Sequence, residues 1–353
     1  MYPALAIVDA IGKRADVLWV GSTGGMEAAL VRRAGVAFES VSAAGLHGVG
    51  WGALPRNLWL LARGIPAARR IVRRFRPDVL LFTGGFVGVP VALAGWDVPK
   101  LAYLPDIEPG QALRLIGRLA DTVAVTSEDS RRFLRRRARI VVTGYPTRVG
   151  LQSFERPASR QELGLDARMP TLLVFGGSKG ARSINEALWG CLSTLLPTMQ
   201  IVHLTGELDW ARVAGQIKGL PAQLASRYHP HAYLHDEMGA ALASADLAVS
   251  RAGASVLGEL PLFGLPALLV PYPHAWRYQK VNADYLAGQG AAMVIEDSAL
   301  VEKLPAAILG LVQDPARLNA MRQASRRLAR PHAANDLASE LEKLARAGGA
   351  VDG

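Results

Sequence analysis

Short, mostly apolar runs alternate with amphipathic segments along nearly the whole chain. DVLLF (78–82), KLAYL (100–104), TLLVF (171–175), QIVHL (200–204) and LPALLVP (265–271) have the length of strands and no solvated face, the pattern of parallel strands covered on both sides. Shorter runs at 16–20, 122–126, 139–144, 246–250 and 292–296 predict further strands. Helical spacing falls between them, at 2–12, 26–35, 56–75, near 88–95 and 110–119, then at 183–194, 238–244, 276–288, 302–312, 315–328 and 333–347. This is an α/β series that opens on a helix, whereas a Rossmann-like half normally opens on a strand. Residues 149–168 are polar and Pro-containing and read as a linker. The expected domains are 1–148 and 169–330, with a terminal helix in 331–353 packing back on the first.

A length of 353 residues fits two domains, because single cores stop growing at about 250–300 residues. The 36 Gly and 21 Pro suit many short elements and tight turns. A single Cys excludes an intramolecular disulfide framework, and Cys191 reads as a core thiol. The uncharged stretches 79–96 and 187–206 approach the length of a membrane span, but internal Gly and Pro parse each into strand, turn and helix. No signal peptide is expected, since Met1 leads straight into an amphipathic pattern.

Charge changes the picture. Residues 1–150 hold 21 Lys/Arg against 11 Asp/Glu, so the whole net charge of +10 lies in the first half. Arg56–Arg76 carries seven Arg and no acid, interleaved with Leu58, Trp59, Leu60, Leu61, Ile65, Ile71 and Phe75, and RRFLRRRAR (131–139) follows. That mixture predicts a surface for anionic lipid, aromatic and aliphatic groups entering the interface while Arg meets headgroups. A solvated basic helix face is the plain alternative. Nucleic acid is not expected, because no recognition helix, zinc motif or base-stacking signature accompanies the charge.

Two turns carry candidate chemistry. GGSKGA (176–181) follows a strand and precedes a helix, where glycines let backbone amides approach a phosphate and the helix N-terminus adds positive potential. Ser183 and Glu186 have capping-box spacing, and Lys179 is a possible phosphate contact. The second turn, Arg251–Ala254, opens a short helix bearing Glu259, placed to bind a ribose or to sit solvated. Gln279 and Asn282 follow on a later helix, and TGGFVG (83–88) is a weaker glycine turn in the first half. HPHAYLH (229–235) matches no metal-site spacing.

The set GGSKGARSIN, VHLTGE, DEMGAALASADLAVSRAGASVLGELPLFGLPALLVPYPH, QKVNADYL and GAAMVIED resembles the MurG family of GT-B glycosyltransferases. YPALAIVDAI, WVGSTGGMEAALVRRAGV, AAGLHG, RPDVLLFTGGFVGVPVALAGW and VVTGYPTR carry the resemblance through the first half. It implies two Rossmann-like domains with parallel sheets facing across a cleft. It also implies transfer of N-acetylglucosamine from UDP-N-acetylglucosamine to an undecaprenyl-linked lipid acceptor, lipid I, at the cytoplasmic face of the membrane, without metal or cofactor. Carried over by motif, Ser178 faces donor phosphate, Arg148 the nucleotide and the His235 backbone the uracil. Ala254, Ser255, Val256, Leu257, Gly258 and Glu259 line the donor site with Glu259 on the ribose, and Gln279 holds the sugar.

The sequence departs from the pattern in three places. The first strand and a GGTGGH loop, whose His is the expected general base, should stand just ahead of Met1, so no catalytic base is assigned within the chain. YLPD (103–106) replaces HEQN and puts Asp106 at a donor-contacting position, and Tyr145 replaces Asn in GYPTR. A related glycolipid transferase, a UDP-sugar 2-epimerase and a donor-binding pseudoenzyme are the alternative readings.

Overall fold

In the computed structural model, which describes residues 1–25, 27–42, 54–134, 139–177, 180–217, 219–274 and 277–349, strands and helices alternate from end to end. The chain divides into two units, Met1–Val149 with Pro331–Gly353, and Gly150–Arg330.

The first unit runs α1 (Tyr2–Ile11), β1 (Leu18–Ser22), α2 (Glu27–Arg33), β2 (Ala37–Val41), α3 (Leu54–Phe75), β3 (Leu80–Phe82), α4 (Gly88–Ala94), β4 (Lys100–Leu104), α5 (Gln111–Ile116), β5 (Thr122–Val125) and β6 (Arg139–Val142). Its strands pair in parallel as two separate groups, β1–β2 and β3–β4–β5–β6. The period of two along β4 divides the core. Leu101 and Tyr103 pack with Ile7 of α1 and with Leu337 and Leu341 near the C-terminus, whereas Ala102 and Leu104 pack with Ile71 of α3 and Val91 of α4. Helices therefore cover both faces.

The second unit opens with α6 (Arg156–Glu162), β7 (Thr171–Phe175), α7 (Arg182–Trp189), α8 (Leu192–Leu195), β8 (Gln200–Leu204), α9 (Trp210–Ile217), α10 (Ala222–Ala225), β9 (Tyr228–His231) and α11 (Met238–Ser244). It continues through β10 (Leu247–Ser250), α12 (Val256–Phe263), β11 (Ala267–Leu269), α13 (Tyr278–Gly288), β12 (Ala292–Val294), α14 (Leu300–Val312) and α15 (Pro315–Arg327). All six strands form one parallel sheet, ordered β12-β11-β10-β7-β8-β9. Every residue of β7, β8, β10 and β11 is buried, as a doubly covered sheet requires. The last helix, α16 (Ala333–Gly349), returns to the first unit and packs along α1.

Several sequence expectations change. Residues 149–168 are folded: α6 packs on α11, and Arg160 is buried. Arg160 donates to Asp246 Oδ2 at 2.9 Å, Arg156 and Arg322 also reach this carboxylate, and the Thr171 N–H donates to it at 2.9 Å. Burial alone would raise the Asp246 pKa, but the bonds from Arg156 and Thr171 and the arginine charges hold it below the usual carboxylate value. The helix expected over 183–194 breaks at Gly190 and Cys191 into α7 and α8, and the buried Cys191 thiol donates to the Ala187 carbonyl at 3.3 Å. Strands β2 and β9 and helices α9 and α10 were not predicted.

Candidate functional site

In the second unit, β7 lies between β8 and β10, so the sheet order reverses between β7 and β10. Open parallel sheets bind ligands outside the carboxyl ends of their strands at such a point. The candidate residues collect on these ends. The glycine turn follows β7, Ala254–Glu259 follow β10, Gln279 stands two residues into α13 after β11, and His235 follows β9. Ser178 and Lys179 of the glycine turn lie outside the described residues. Gly180 has φ of 76°, and a Cβ there would collide with the Thr205 carbonyl oxygen. Glycine is required at this position by backbone conformation and close approach together.

Glu259 sits in the first turn of α12, half-buried, with its N–H bonded to the Ser255 carbonyl at 2.9 Å. Asn282 is fully buried and donates to the Ala252 carbonyl at 3.1 Å, which fixes the turn ahead of α12 and leaves sugar binding to other residues. Gln279 Oε1 accepts the Tyr272 N–H at 2.9 Å. That bond orients the amide and commits its carbonyl end, leaving donor chemistry at the other.

The capping box expected at Ser183 is not formed. Helix α7 starts at Arg182 behind Ala181, the Ser183 hydroxyl donates to Asp297 Oδ1 at 2.7 Å, and Glu186 pairs with Arg212. Arg251 completes this cluster. Its guanidinium donates to Ser183 Oγ at 2.8 Å, to the Val270 carbonyl at 3.2 Å and to Asp297, and lies over the Tyr272 ring. One side chain thus ties the start of α7, the end of β11 and the segment after β12. In the sequence Arg251 stands in a turn with no local sign of this role, because its partners lie 19 to 68 residues away.

A second buried network fixes α7 to β8. His203 accepts or donates between the Tyr228 hydroxyl at Nδ1, 2.7 Å, and Asn185 Oδ1 at Nε2, 2.9 Å. Asn185 Nδ2 in turn donates to the Thr205 carbonyl and to Asp209 Oδ2, both at 2.9 Å. Burial pushes the His203 pKa down to about 3 against the opposing charge of Asp209, so the ring is neutral. Since Thr205 is also what Gly180 packs against, this network backs the glycine turn. Of the histidines in 229–235, His229 and His231 lie on or at the end of β9, and His235 is exposed with its ring edge-on to Tyr233. Among the described residues no group of three or more His, Cys, Asp or Glu could hold a metal ion.

Asp106 and Arg148 belong to the first unit. Asp106 follows the carboxyl end of β4, and the Arg148 guanidinium stands 5.5 Å from the Tyr2 ring centroid. The two departures beside them are neighbours. Tyr103 is fully buried with its hydroxyl on Thr126 Oγ1 at 3.0 Å and on the Gly144 carbonyl at 3.2 Å, immediately before the buried Tyr145.

On α3 the described side chains separate cleanly. Gly64, Ala68 and Ile71 are buried at helical spacing, while Arg63, Arg69, Arg70, Arg73 and Arg74 are exposed. Ile71 therefore belongs to the core and cannot enter lipid as the sequence suggested. Trp59 is 54% exposed with Arg63 stacked 4.5 Å from its ring, Phe75 is exposed, and Trp96 is 76% exposed. The side chains of Arg56, Leu58, Leu60 and Leu61, and residues 43–53 and 135–138, lie outside the described residues. Arg74 pairs with Glu39, and Arg139 with Glu340. No described helix is long and apolar enough to cross a membrane.

Comparison with known proteins agrees with this arrangement. Residues 1–103 match the glycosyltransferase family 28 N-terminal domain, and residues 171–340 its C-terminal domain. The UDP-N-acetylglucosamine--N-acetylmuramyl-(pentapeptide) pyrophosphoryl-undecaprenol N-acetylglucosamine transferase of Roseiflexus sp. (strain RS-1) is 44% identical over 371 residues, covering 94% of this chain and 84% of that protein. The protein of the same name from Desulforudis audaxviator (strain MP104C) is 38% identical, covering 98% and 95%. The crystal structure of Acinetobacter baumannii MurG superposes with a TM-score of 0.78 at 24% identity, covering 97% of this chain and 95% of that one, and shares the GT-B fold. With two family 28 domains and relatives this similar along nearly its full length, the chain belongs to the MurG family of GT-B glycosyltransferases.

Proposed function

We propose that this chain transfers N-acetylglucosamine from UDP-N-acetylglucosamine to the undecaprenyl-linked muramyl-pentapeptide acceptor, lipid I, giving lipid II for peptidoglycan synthesis. The observation that carries the reading is the gathering of the glycine turn, the Glu259 helix start and Gln279 at the carboxyl ends of β7, β10 and β11. Glu259 accepts hydrogen bonds from the two ribose hydroxyls, and Gln279, oriented by the Tyr272 backbone, meets the sugar. The N-terminus of α7, its first turn tied down by Ser183 and Arg251, supplies positive potential to the diphosphate.

In the transfer, the acceptor oxygen forms a bond to the sugar anomeric carbon from the face opposite the diphosphate. The bond from that carbon to the diphosphate oxygen breaks, UDP leaves with the electron pair, and the acceptor proton passes to a base. The configuration inverts. Charge growing on the diphosphate is met by the helix terminus, without a metal or other cofactor. The basic face of α3, with the exposed Trp59–Arg63 pair, supports peripheral contact with an anionic membrane on its cytoplasmic side.

Radiolabelled UDP-N-acetylglucosamine, offered with lipid I, with diacylglycerol or with neither, tests the reading. Label should enter lipid I alone, and chelation should leave the rate unchanged. Glu259→Gln should weaken UDP binding about tenfold, equivalent to about 1.4 kcal/mol, for the loss of charge from the ribose hydrogen bonds. Turnover confined to the lipid-free reaction, or labelling of diacylglycerol in preference to lipid I, would remove the assignment.

A further inference from the structure

Tyr272 lends its backbone N–H to the donor site, while its side chain has no task in the reaction described above. It stands three residues beyond β11, at the carboxyl end of the sheet, and is 44% exposed between Pro271 and Pro273. Among the described large apolar side chains of the second unit, only Leu208, Trp210, Tyr272 and Val301 are exposed. A single exposed apolar side chain is ordinary on any surface. This ring differs in how firmly it is held.

The hold begins in the backbone. Pro271 fixes its own φ, and Pro273 biases the residue before it, Tyr272, toward extended geometry. The Tyr272 N–H is then given to Gln279 Oε1 at 2.9 Å. The ring is fixed as well. The Arg251 guanidinium lies over it, 5.2 Å from the centroid, and the His274 ring meets it at 77° with centroids 5.4 Å apart. Arg251 is itself immobilised by Ser183 Oγ, the Val270 carbonyl and Asp297. Among the described residues the Tyr272 hydroxyl has no hydrogen-bond partner, so the ring alone is what these contacts position. An aromatic surface set in advance loses little side-chain freedom when a ligand covers it.

The tethers also say where the ring lies. Through Arg251 it is joined to Ser183 in the first turn of α7, where the diphosphate is met. Through its N–H it is joined to Gln279, which meets the sugar. In a nucleotide sugar these two parts of the ligand are directly bonded. A ring tied to both therefore stands at the sugar. The chemistry is complementary: a pyranose carries hydroxyls around its rim and apolar C–H groups on its faces. Gln279, with its oxygen committed to Tyr272, offers N–H donors to the rim, and the exposed part of the ring offers an apolar surface beside them.

We propose that the Tyr272 ring is a contact for the sugar moiety of the donor, packing against its apolar C–H surface while Gln279 bonds its hydroxyls. The ring then adds to the affinity for the sugar and nothing to the affinity for the nucleotide. This deepens the UDP-sugar reading given above and rests on it.

Isothermal titration with UDP and with UDP-N-acetylglucosamine, on the native chain, Tyr272→Ala and Tyr272→Phe, tests the assignment. Tyr272→Ala should bind UDP within about twofold of the native chain and UDP-N-acetylglucosamine about tenfold more weakly, the scale of one aromatic contact. Tyr272→Phe keeps the ring and should bind both within about twofold of the native chain, by the same scale. A loss of UDP affinity in Tyr272→Ala equal to the loss for the UDP-sugar would overturn the proposal, because the ring would then act only as a support for Arg251. Unchanged affinity for the UDP-sugar in Tyr272→Ala overturns it too, as does a loss in Tyr272→Phe as large as that in Tyr272→Ala. Failure of the underlying reading looks different: the native chain would then bind neither UDP nor UDP-N-acetylglucosamine, and the proposal would fall with it.

Discussion

Arg251→Lys is the sharpest single perturbation of the candidate site. It keeps the positive charge and removes the planar fork. The native guanidinium serves Ser183 Oγ, the Val270 carbonyl and the Asp297 carboxylate while stacking on Tyr272, and its side chain is only 11% exposed. A lysine ammonium on a flexible stem satisfies the carboxylate and surrenders about two of the other contacts, a loss of about 2–4 kcal/mol for bonds to a charged, buried group. For a unit of this size each kcal/mol moves Tm by about 2–4 °C, so the melting transition of the second unit should fall by about 4–16 °C. The lost tethers run to the start of α7 and to the strand end that precedes Tyr272, which orients Gln279. UDP binding should therefore weaken by about tenfold or more, equivalent to about 1.4 kcal/mol. Differential scanning calorimetry and isothermal titration with UDP read the two effects. A transition within 1 °C of the parent, by the same scale of about 2–4 °C per kcal/mol, would refute the tether. A lowered transition with unchanged UDP affinity would refute its link to the donor site.

Two further outcomes follow from buried ionisable groups. Asp246 has a folded pKa below its unfolded value of about 3.9, so its stabilisation is complete above that value and is lost as pH falls through the folded one. Asp246→Asn should cost about 3–5 kcal/mol at pH 7 by leaving Arg160 unpaired, with the gap in urea unfolding closing toward pH 3; a gap constant with pH would show that the carboxylate charge is not what holds α6. The His203 ring, neutral down to about pH 3, should show unchanged ring nitrogen shifts by NMR from pH 8 to pH 5. Because unfolded His gains its proton near 6.5, stability falls as pH drops below that value, and a ring titrating near 6.5 would refute the network.

The elements readable from sequence are those whose local pattern and final environment agree. KLAYL, TLLVF and QIVHL become strands with the same bounds because each is buried on both faces. Strand β9, YHPH, carries a proline and two histidines and lacks the strand pattern. It stands at the sheet edge, where a residue without an N–H is tolerated. Helix α9 has Gly215 in its interior and only eight residues to show a period. Within the candidate site, Glu259 and Gln279 were accessible through motif and position. The contacts that hold the site were not. Ser183 has the spacing of a cap, but a carboxylate 114 residues later captures its hydroxyl. Long-range partners of this kind leave no local trace.

The return of α16 to the first unit has a consequence for synthesis. The second unit is one continuous stretch, Gly150–Arg330, whereas the first needs Leu337 and Leu341 to close the core around Ile7, Leu101 and Tyr103. Domains ordinarily fold in the order in which they leave the ribosome. Here the half made first must wait for residues translated after the second unit, and the half made second can be finished before it.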